Sequence, residues 1–236
     1  MSTARTSPWW YRQRPLVFAA MYVAGFASTI RSRDDVEPAF LWLGLRAGPL
    51  GPTILLGIAA LLALAAWALR TWGASYLTAA VVWSPNARDD RLIVDGPFRY
   101  VRNPLYLGSL LLAVALGSFA TPLGFAILVA GNVLFTLALI SVEAPMLRAR
   151  YGAAFDAYRG AVPSLVPRLR AADVPGTARV APSLAQGLRS EVFTALLVVG
   201  TLALCIGRSA GVPVFYAFLA AAALYRIAIT LRTRSD

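Results

Sequence analysis

The amino-acid sequence predicts an all-α, polytopic helical membrane protein with about six spans and a range of five to seven. The residue types AVILMFWYC make up 58% of the 236 residues and charged residues only 14%, whereas soluble proteins average about 45–50% and about 25%. The mean hydropathy is +0.65. Long uncharged segments alternate with arginine-rich segments, which is typical of spans and their flanking loops.

The composition also excludes several chemistries. The chain has no His and a single Cys, Cys205, which excludes a Ser-His-Asp triad, a His-ligated metal and an intrachain disulfide. No metal site is therefore predicted. The formal net charge is +11 and all the basic residues are Arg, but the apolar composition argues against nucleic acid as a partner. We assign the arginines to the flanks of spans, and the lipid bilayer is the predicted partner.

The N-terminal region, residues 1–87, is predicted to hold two spans followed by an interfacial loop. Residues 16–30 are uncharged, and aromatic residues precede them as in an interfacial belt. Residues 47–69 are long enough to cross a bilayer, which needs about 20 helical residues. Pro49 and Pro52 are placed at the start of this second span, where proline is tolerated.

The central region contains a tight helical hairpin. Residues 103–142 carry no charge and are too many for a single crossing. A turn at 117–124 divides them, with Thr121 placed to cap the following helix and Pro122 suited to its first position. The predicted arms are about 15 and about 21 residues long, or roughly 22 and 31 Å.

The C-terminal part is predicted to contain a surface helix, a linker and a second hairpin. After Glu143 an amphipathic helix lies on the cytoplasmic membrane surface. Residues 171–190 are a linker, and residues 191–236 form a hairpin from segments 192–207 and 209–225. The apolar face of the amphipathic helix consists of Leu147, Tyr151, Ala154, Phe155 and Tyr158.

The distribution of arginine predicts the orientation. Six spans place both termini and the loops 70–103 and 143–190 on one side, and most arginines lie there. The positive-inside rule makes this side cytoplasmic. We therefore expect an integral protein of a bacterial-type inner (cytoplasmic) membrane, with both termini in the cytoplasm.

A candidate site lies where the hairpin opens onto the cytoplasm. Because a hairpin brings its ends together, Asn103, Pro104 and Tyr106 are expected near Glu143. The free N–H groups of a helix that begins at Pro104 can bind a carboxylate or phosphate, and Glu143 can accept hydrogen bonds from an ammonium group. The combination suits an amino-acid-like zwitterion. The alternative is that the arginines only determine topology and that Glu143 is solvated.

Two sequence blocks resemble one enzyme superfamily. Residues 96–108 read GPFRYVRNPLYLG, similar to the signature of the isoprenylcysteine carboxyl methyltransferase and phospholipid methyltransferase superfamily. The second block is Glu143, then YGAAFDAY at 151–158 and Pro163, and it matches in order and distance. The resemblance extends over about a third of the chain, residues 92–167, and marks 88–170 as a methyltransferase-like cofactor-binding core.

The resemblance implies integral-membrane enzymes that use S-adenosylmethionine as cofactor, bound at the cytoplasmic end of the hairpin beneath the amphipathic helix. Tyr106 and Glu143 would position the cofactor, and no catalytic residue is assigned. The implied cofactor contacts are Asp90, Arg91, Leu92, Ile93, Phe98, Arg102, Asn103, Pro104, Leu105, Tyr106 and Glu143.

This sequence departs from the family pattern at two positions. Asn103 stands where the family has His, and an amide can donate a hydrogen bond but cannot titrate near neutral pH. Leu139, one helical turn before Glu143, stands where the prenylcysteine enzymes have a substrate-binding Arg. We expect Leu139 to line the substrate site, where it cannot pair with a substrate carboxylate.

These features predict an S-adenosylmethionine-dependent methyltransferase that acts mainly by positioning. Its acceptor would be a lipophilic or small apolar thiol, carboxylate or amine. Two alternatives stay open at this point: a sterol-type membrane reductase that binds NADPH, and a catalytically inactive membrane relative. The last two predicted spans lie outside the resemblance.

Overall fold

The computed structural model describes residues 8–31, 36–77, 92–174 and 180–207, and six single positions between 214 and 224. Its secondary structure in these residues is helical, without strands, which confirms the all-α prediction for this part of the chain. The helices are α1 (Trp9–Arg12), α2 (Arg14–Arg31), α3 (Ala39–Arg46), α4 (Gly51–Ala74), a 3-10 helix (Gly96–Arg99), α5 (Pro104–Gly117), α6 (Pro122–Tyr151), α7 (Ala153–Ala161), α8 (Leu184–Ser190) and α9 (Val192–Ile206).

The predicted hairpin is formed by α5 and α6, which pack against each other. Pro122 opens α6, and the Thr121 hydroxyl oxygen accepts a hydrogen bond from the Gly124 N–H at 3.1 Å. The first arm has 14 residues, close to the predicted length. The second arm has 30 residues because the helix does not stop at Glu143 but continues into the arginine-rich segment.

The predicted amphipathic helix is divided into two pieces. Gly152 has φ +53°, a conformation that glycine adopts without steric cost, and it separates the end of α6 from α7. Phe155 and Tyr158 on α7 are buried as expected, whereas Ala154 is exposed. The prediction of one continuous helix was therefore wrong, because the chain turns at Gly152.

Two helices in the described part of the chain, α4 and α6, are long and apolar enough to cross a membrane. A third crossing results if α8 and α9, which meet at 67°, form one broken span. The apolar part of α2 (Leu16–Ser28) and all of α5 are shorter, and at 1.5 Å per residue they fall short of a hydrocarbon core about 30 Å thick. The six predicted spans are thus not confirmed. Most of segment 209–225 lies outside the described residues.

Helix α4 is central to the packing. It contacts α3, α5, α8 and α9, while α2 lies along α6. Small residues such as Ala63 and Ala66 on α4 and Ala115 on α5 are fully buried and allow close helix approach, as in membrane proteins. Ile58 and Leu61, on another face of α4, are exposed, which suits a face in contact with lipid.

Helix α8 lies within the predicted linker 171–190. The Ser183 hydroxyl caps it by accepting a hydrogen bond from the Gln186 N–H at 3.4 Å. The Gln186 side-chain amide donates to the Leu77 carbonyl at 2.8 Å, so this part of the predicted linker is packed against the end of α4.

Glycine substitutions test the packing of α2 on α6. A Cβ atom at Gly124 would collide with the Gly25 carbonyl oxygen and the Ser28 hydroxyl, so we expect Gly124→Ala to lower the free energy of unfolding by about 1–3 kcal/mol. The matched control is Gly57→Ala on α4, where nothing lies within 4 Å and alanine is favoured by about 0.5–1 kcal/mol. Thermal unfolding in detergent measures both variants. Equal changes in the unfolding temperature of the two variants would contradict the close packing of α2 on α6 at Gly124.

Candidate functional site

The open end of the hairpin brings Tyr106 and Glu143 together as expected. The Tyr106 hydroxyl donates a hydrogen bond to Glu143 Oε1 at 2.5 Å. Tyr106 lies in the first turn of α5 and Glu143 lies on α6, so the contact closes the two arms at this end. The Glu143 side chain is 21% exposed, which leaves it accessible.

The N-terminal helices add two residues that sequence reasoning missed. The Arg14 guanidinium donates from Nη1 to Glu143 Oε1 at 2.9 Å and to the Tyr106 hydroxyl at 3.3 Å. The Tyr11 hydroxyl donates to the same Glu143 oxygen at 2.9 Å. We call Tyr11, Arg14, Tyr106 and Glu143 the polar cluster. The only sequence signal for the first two was a basic and aromatic segment before an uncharged one, which also describes a simple membrane boundary.

Tyr11 acts in this cluster as a hydrogen-bond donor. Burial raises the pKa of the Tyr11 phenol well above its ordinary value, and the neighbouring Glu143 carboxylate raises it further. The phenol therefore stays protonated at physiological pH. Arg14 also lies near the Tyr11 ring, with its Cζ atom 5.4 Å from the ring centroid, within the range of a cation–π contact.

Asn103 is engaged in a structural contact. Its side-chain amide nitrogen donates to the Ser164 carbonyl at 3.0 Å and to the Ser164 hydroxyl at 3.1 Å, and its backbone N–H donates to the same carbonyl at 3.2 Å. An amide nitrogen carries two donors, and both contacts of this nitrogen go to atoms of Ser164. In this arrangement the amide ties the start of α5 to the loop after α7, and the expected donation from Asn103 to a ligand carboxylate stays a prediction.

This arrangement gives a prediction for stability. Asn103→Ala removes two side-chain hydrogen bonds and is expected to lower the free energy of unfolding by about 1–3 kcal/mol, at about 0.5–1.5 kcal/mol each. Ser164→Ala removes only the bond to the hydroxyl and should cost about half as much. Thermal unfolding of both variants checks the order. An Asn103→Ala protein as stable as the unaltered one would contradict the structural role.

The residues that precede α5 pack against α7 in a buried apolar cluster. Phe98 is buried there with Phe155 and Tyr158, and the Tyr158 hydroxyl donates to the Phe98 carbonyl at 2.8 Å. Leu92, Ile93 and Leu105 pack against the same cluster. Pro104 is fully buried and Arg102 half-buried. Asp90 and Arg91 lie outside the described residues.

Leu139 is fully buried, one turn before Glu143 on α6. Its role in lining an acceptor site stays a prediction. A cleft with a volume of about 300 Å³ lies elsewhere, between the end of α4 and the 3-10 helix. Its lining residues are Trp72, Tyr76, Asp95, Gly96, Arg99, Tyr100 and Val180, and none of them belongs to the polar cluster.

A second buried polar group links α4 to α9. Arg70 donates to both Glu191 oxygens, from Nε to Oε2 at 2.7 Å and from Nη2 to Oε1 at 2.9 Å. Arg70 Nη1 also donates to the Leu105 carbonyl and the Ser109 hydroxyl of α5. The Glu191 side chain is fully buried, and the Thr194 hydroxyl donates to it at 2.5 Å. No sequence motif indicated this pair.

The described residues are helical, and two of their helices are long and apolar enough to cross a membrane, which indicates an integral membrane protein. A scan of family models matches residues 52–154 to the phospholipid methyltransferase family. That family is part of the isoprenylcysteine carboxyl methyltransferase and phospholipid methyltransferase superfamily, so the match over residues 52–154 confirms the resemblance seen in the motifs. A search of curated proteins and a search of solved structures each gave no significant match.

The matched segment contains α4 except its first residue, the hairpin and the start of α7. Tyr106 and Glu143 fall inside it, whereas Tyr11 and Arg14 precede it and Glu191 follows it. The match of this segment to a methyltransferase family supports methyltransferase activity. The residues that complete both polar groups come from parts of the chain outside the family match.

Proposed function

We propose that the protein is an integral-membrane methyltransferase that moves a methyl group from S-adenosylmethionine to a lipophilic or small apolar acceptor. The observation that carries the proposal is the contact between Tyr106 and Glu143 at the open end of the hairpin, inside the family-matched segment 52–154. The family match favours this function over a sterol-type reductase. The proposed site faces the cytoplasm of a bacterial-type inner membrane.

The groups around Glu143 fit the amino-acid end of this cofactor. Glu143 uses Oε1 for its hydrogen bonds within the described part of the chain, and Oε2 is left to accept from an ammonium group. The other proposed contacts follow the chain into α5. They are Asp90, Arg91, Leu92, Ile93, Phe98, Arg102, Pro104 and Leu105, while Asn103 contributes by holding the loop at Ser164.

The chemistry proposed for this site is positioning. When bound, S-adenosylmethionine supplies an electrophilic methyl group on a sulfonium. The chain has no His that could act as a general base. The Tyr106 hydroxyl donates to a carboxylate, so we do not assign it that role either. A thiolate, carboxylate or free amine needs little help from a base, and holding it in line supplies much of the rate enhancement.

The proposed acceptor enters from the bilayer. Leu139, next to Glu143 on α6, is apolar and fully buried, and burying an unpaired charge beside it is costly. We therefore propose acceptors whose only polar group is the nucleophile itself. Placing an apolar acceptor and a soluble cofactor at one interface accounts for a membrane location.

The test is methyl transfer by the purified full chain in nanodiscs with methyl-labelled S-adenosylmethionine. The acceptors offered separately are a long-chain thiol, a fatty acid and a long-chain amine, and we expect label in the apolar extract with one of them. Protein-free nanodiscs serve as the control for uncatalysed transfer. A chain that binds S-adenosylmethionine but labels none of the three would contradict the proposed acceptor class.

A further inference from the structure

The polar cluster raises the question of which group meets the carboxylate of an amino-acid ligand. The Asn103 amide nitrogen donates to the carbonyl and hydroxyl oxygens of Ser164. The Tyr106 hydroxyl proton is donated to Glu143, and so is that of Tyr11. These side-chain donors are thus already engaged, whereas Arg14 offers a cationic donor beside Glu143, in addition to the N–H groups at the start of α5.

The ion pair between Arg14 and Glu143 uses one nitrogen of the guanidinium and one oxygen of the carboxylate. Nη1 of Arg14 makes the contacts to Glu143 and Tyr106, while Nε and Nη2 make no hydrogen bond within the described residues. Glu143 likewise uses Oε1 and leaves Oε2 unpaired there. The Arg14 and Glu143 side chains are 16% and 21% exposed, so neither side chain is fully enclosed by the protein.

This geometry complements the two charges of an α-amino acid. The free edge of a guanidinium can bind a carboxylate through two parallel N–H groups. The free carboxylate oxygen of Glu143 can accept from an ammonium group. Arg14 and Glu143 neutralise each other, so a zwitterionic end adds no net charge to this half-buried site.

We infer that Arg14 is a ligand-binding residue that receives the carboxylate of the methionyl end of S-adenosylmethionine while Glu143 receives its ammonium group. The inference rests on the proposed function and adds a residue from outside the family-matched segment. The N-terminal helix α2 is then part of the cofactor site, and affinity depends on the ligand carboxylate.

The test compares the binding of S-adenosylmethionine with that of its decarboxylated form by isothermal titration of the full chain in detergent. We expect the unaltered protein to prefer the carboxylated ligand about tenfold or more. In Arg14→Gln this preference should disappear, because affinity for S-adenosylmethionine falls while affinity for the decarboxylated ligand holds or rises. Arg14→Lys, which keeps the charge, should retain part of the preference.

The matched control is Arg46→Gln, which removes an exposed arginine at the end of α3 and should preserve the preference. Thermal unfolding without ligand establishes that each variant is folded. The inference is overturned if Arg14→Gln loses affinity for both ligands by the same factor, or if it keeps the preference for the carboxylated ligand. It is also overturned if Arg102→Gln loses this preference while Arg14→Gln keeps it. Failure of the unaltered protein to bind either ligand would instead overturn the proposed function.

Discussion

Glu143→Gln is expected to bind S-adenosylmethionine about 10- to 150-fold more weakly than the unaltered protein. The substitution keeps the size of the side chain and an oxygen that can accept from Tyr106, but it removes the charge that an ammonium group would meet. A hydrogen bond to a charged group contributes about 1.5–3 kcal/mol, and each 1.4 kcal/mol corresponds to about a tenfold change in affinity. Isothermal titration measures the dissociation constant directly.

The control for this prediction is Glu37→Gln. Glu37 is an exposed carboxylate just before α3, whose first N–H groups bond to the turn of the hairpin at Ser118 and Ala120. It therefore lies at the opposite end of the hairpin from Glu143, and its loss should leave the dissociation constant unchanged. Equal affinities of Glu143→Gln and the unaltered protein would remove Glu143 from the site.

Arg70→Leu is expected to have the largest effect on stability. It leaves the fully buried Glu191 carboxylate without its guanidinium partner, and breaking a buried ion pair on one side costs about 3–5 kcal/mol. The double variant Arg70→Leu/Glu191→Leu removes both charges and should recover most of this loss. Thermal and denaturant unfolding in detergent measure the changes.

The control is Arg148→Leu. Arg148 pairs with Asp156 at 3.1 Å, but both side chains are largely exposed. Exposed ion pairs contribute less than about 1 kcal/mol, so this variant should unfold nearly as the unaltered protein does. If Arg70→Leu is as stable as Arg148→Leu, Glu191 is not buried with Arg70 as described.

The hairpin could be predicted from the sequence because its signals are local. An uncharged segment too long for one crossing, with Thr121 and Pro122 in its middle, indicates both the turn and the cap. Once the turn is fixed, the meeting of Tyr106 with Glu143 follows from geometry, although the two residues lie 37 positions apart. The family resemblance was also found from local signals, namely the two sequence blocks at 96–108 and 143–163.

The partners of Glu143 and Arg70 could not be predicted in this way. Arg14 is 129 positions from Glu143, and Arg70 is 121 positions from Glu191. A charged residue beside an apolar segment has the same pattern whether it is solvated or buried in a pair. Only the packing of α2 on α6 and of α4 on α9 decides which arginine meets which glutamate.

Asn103 illustrates a different limit. Its place in the motif indicated a donor for a ligand, and the side chain does donate, but to Ser164. The contact depends on the loop after α7 folding back onto the start of α5, where the Arg102 N–H also donates to the Pro163 carbonyl at 2.9 Å. A motif defines which groups are available, whereas the tertiary fold determines what they bind.

The most direct test of the central claim is isothermal titration of the purified full chain in detergent with S-adenosylmethionine and, separately, with NADPH. We expect saturable, one-site binding of S-adenosylmethionine by the unaltered protein and none of NADPH. Tight binding of NADPH would favour a reductase and contradict the account. Binding of neither ligand by folded protein would also contradict it and would indicate a relative that retains the fold without the activity.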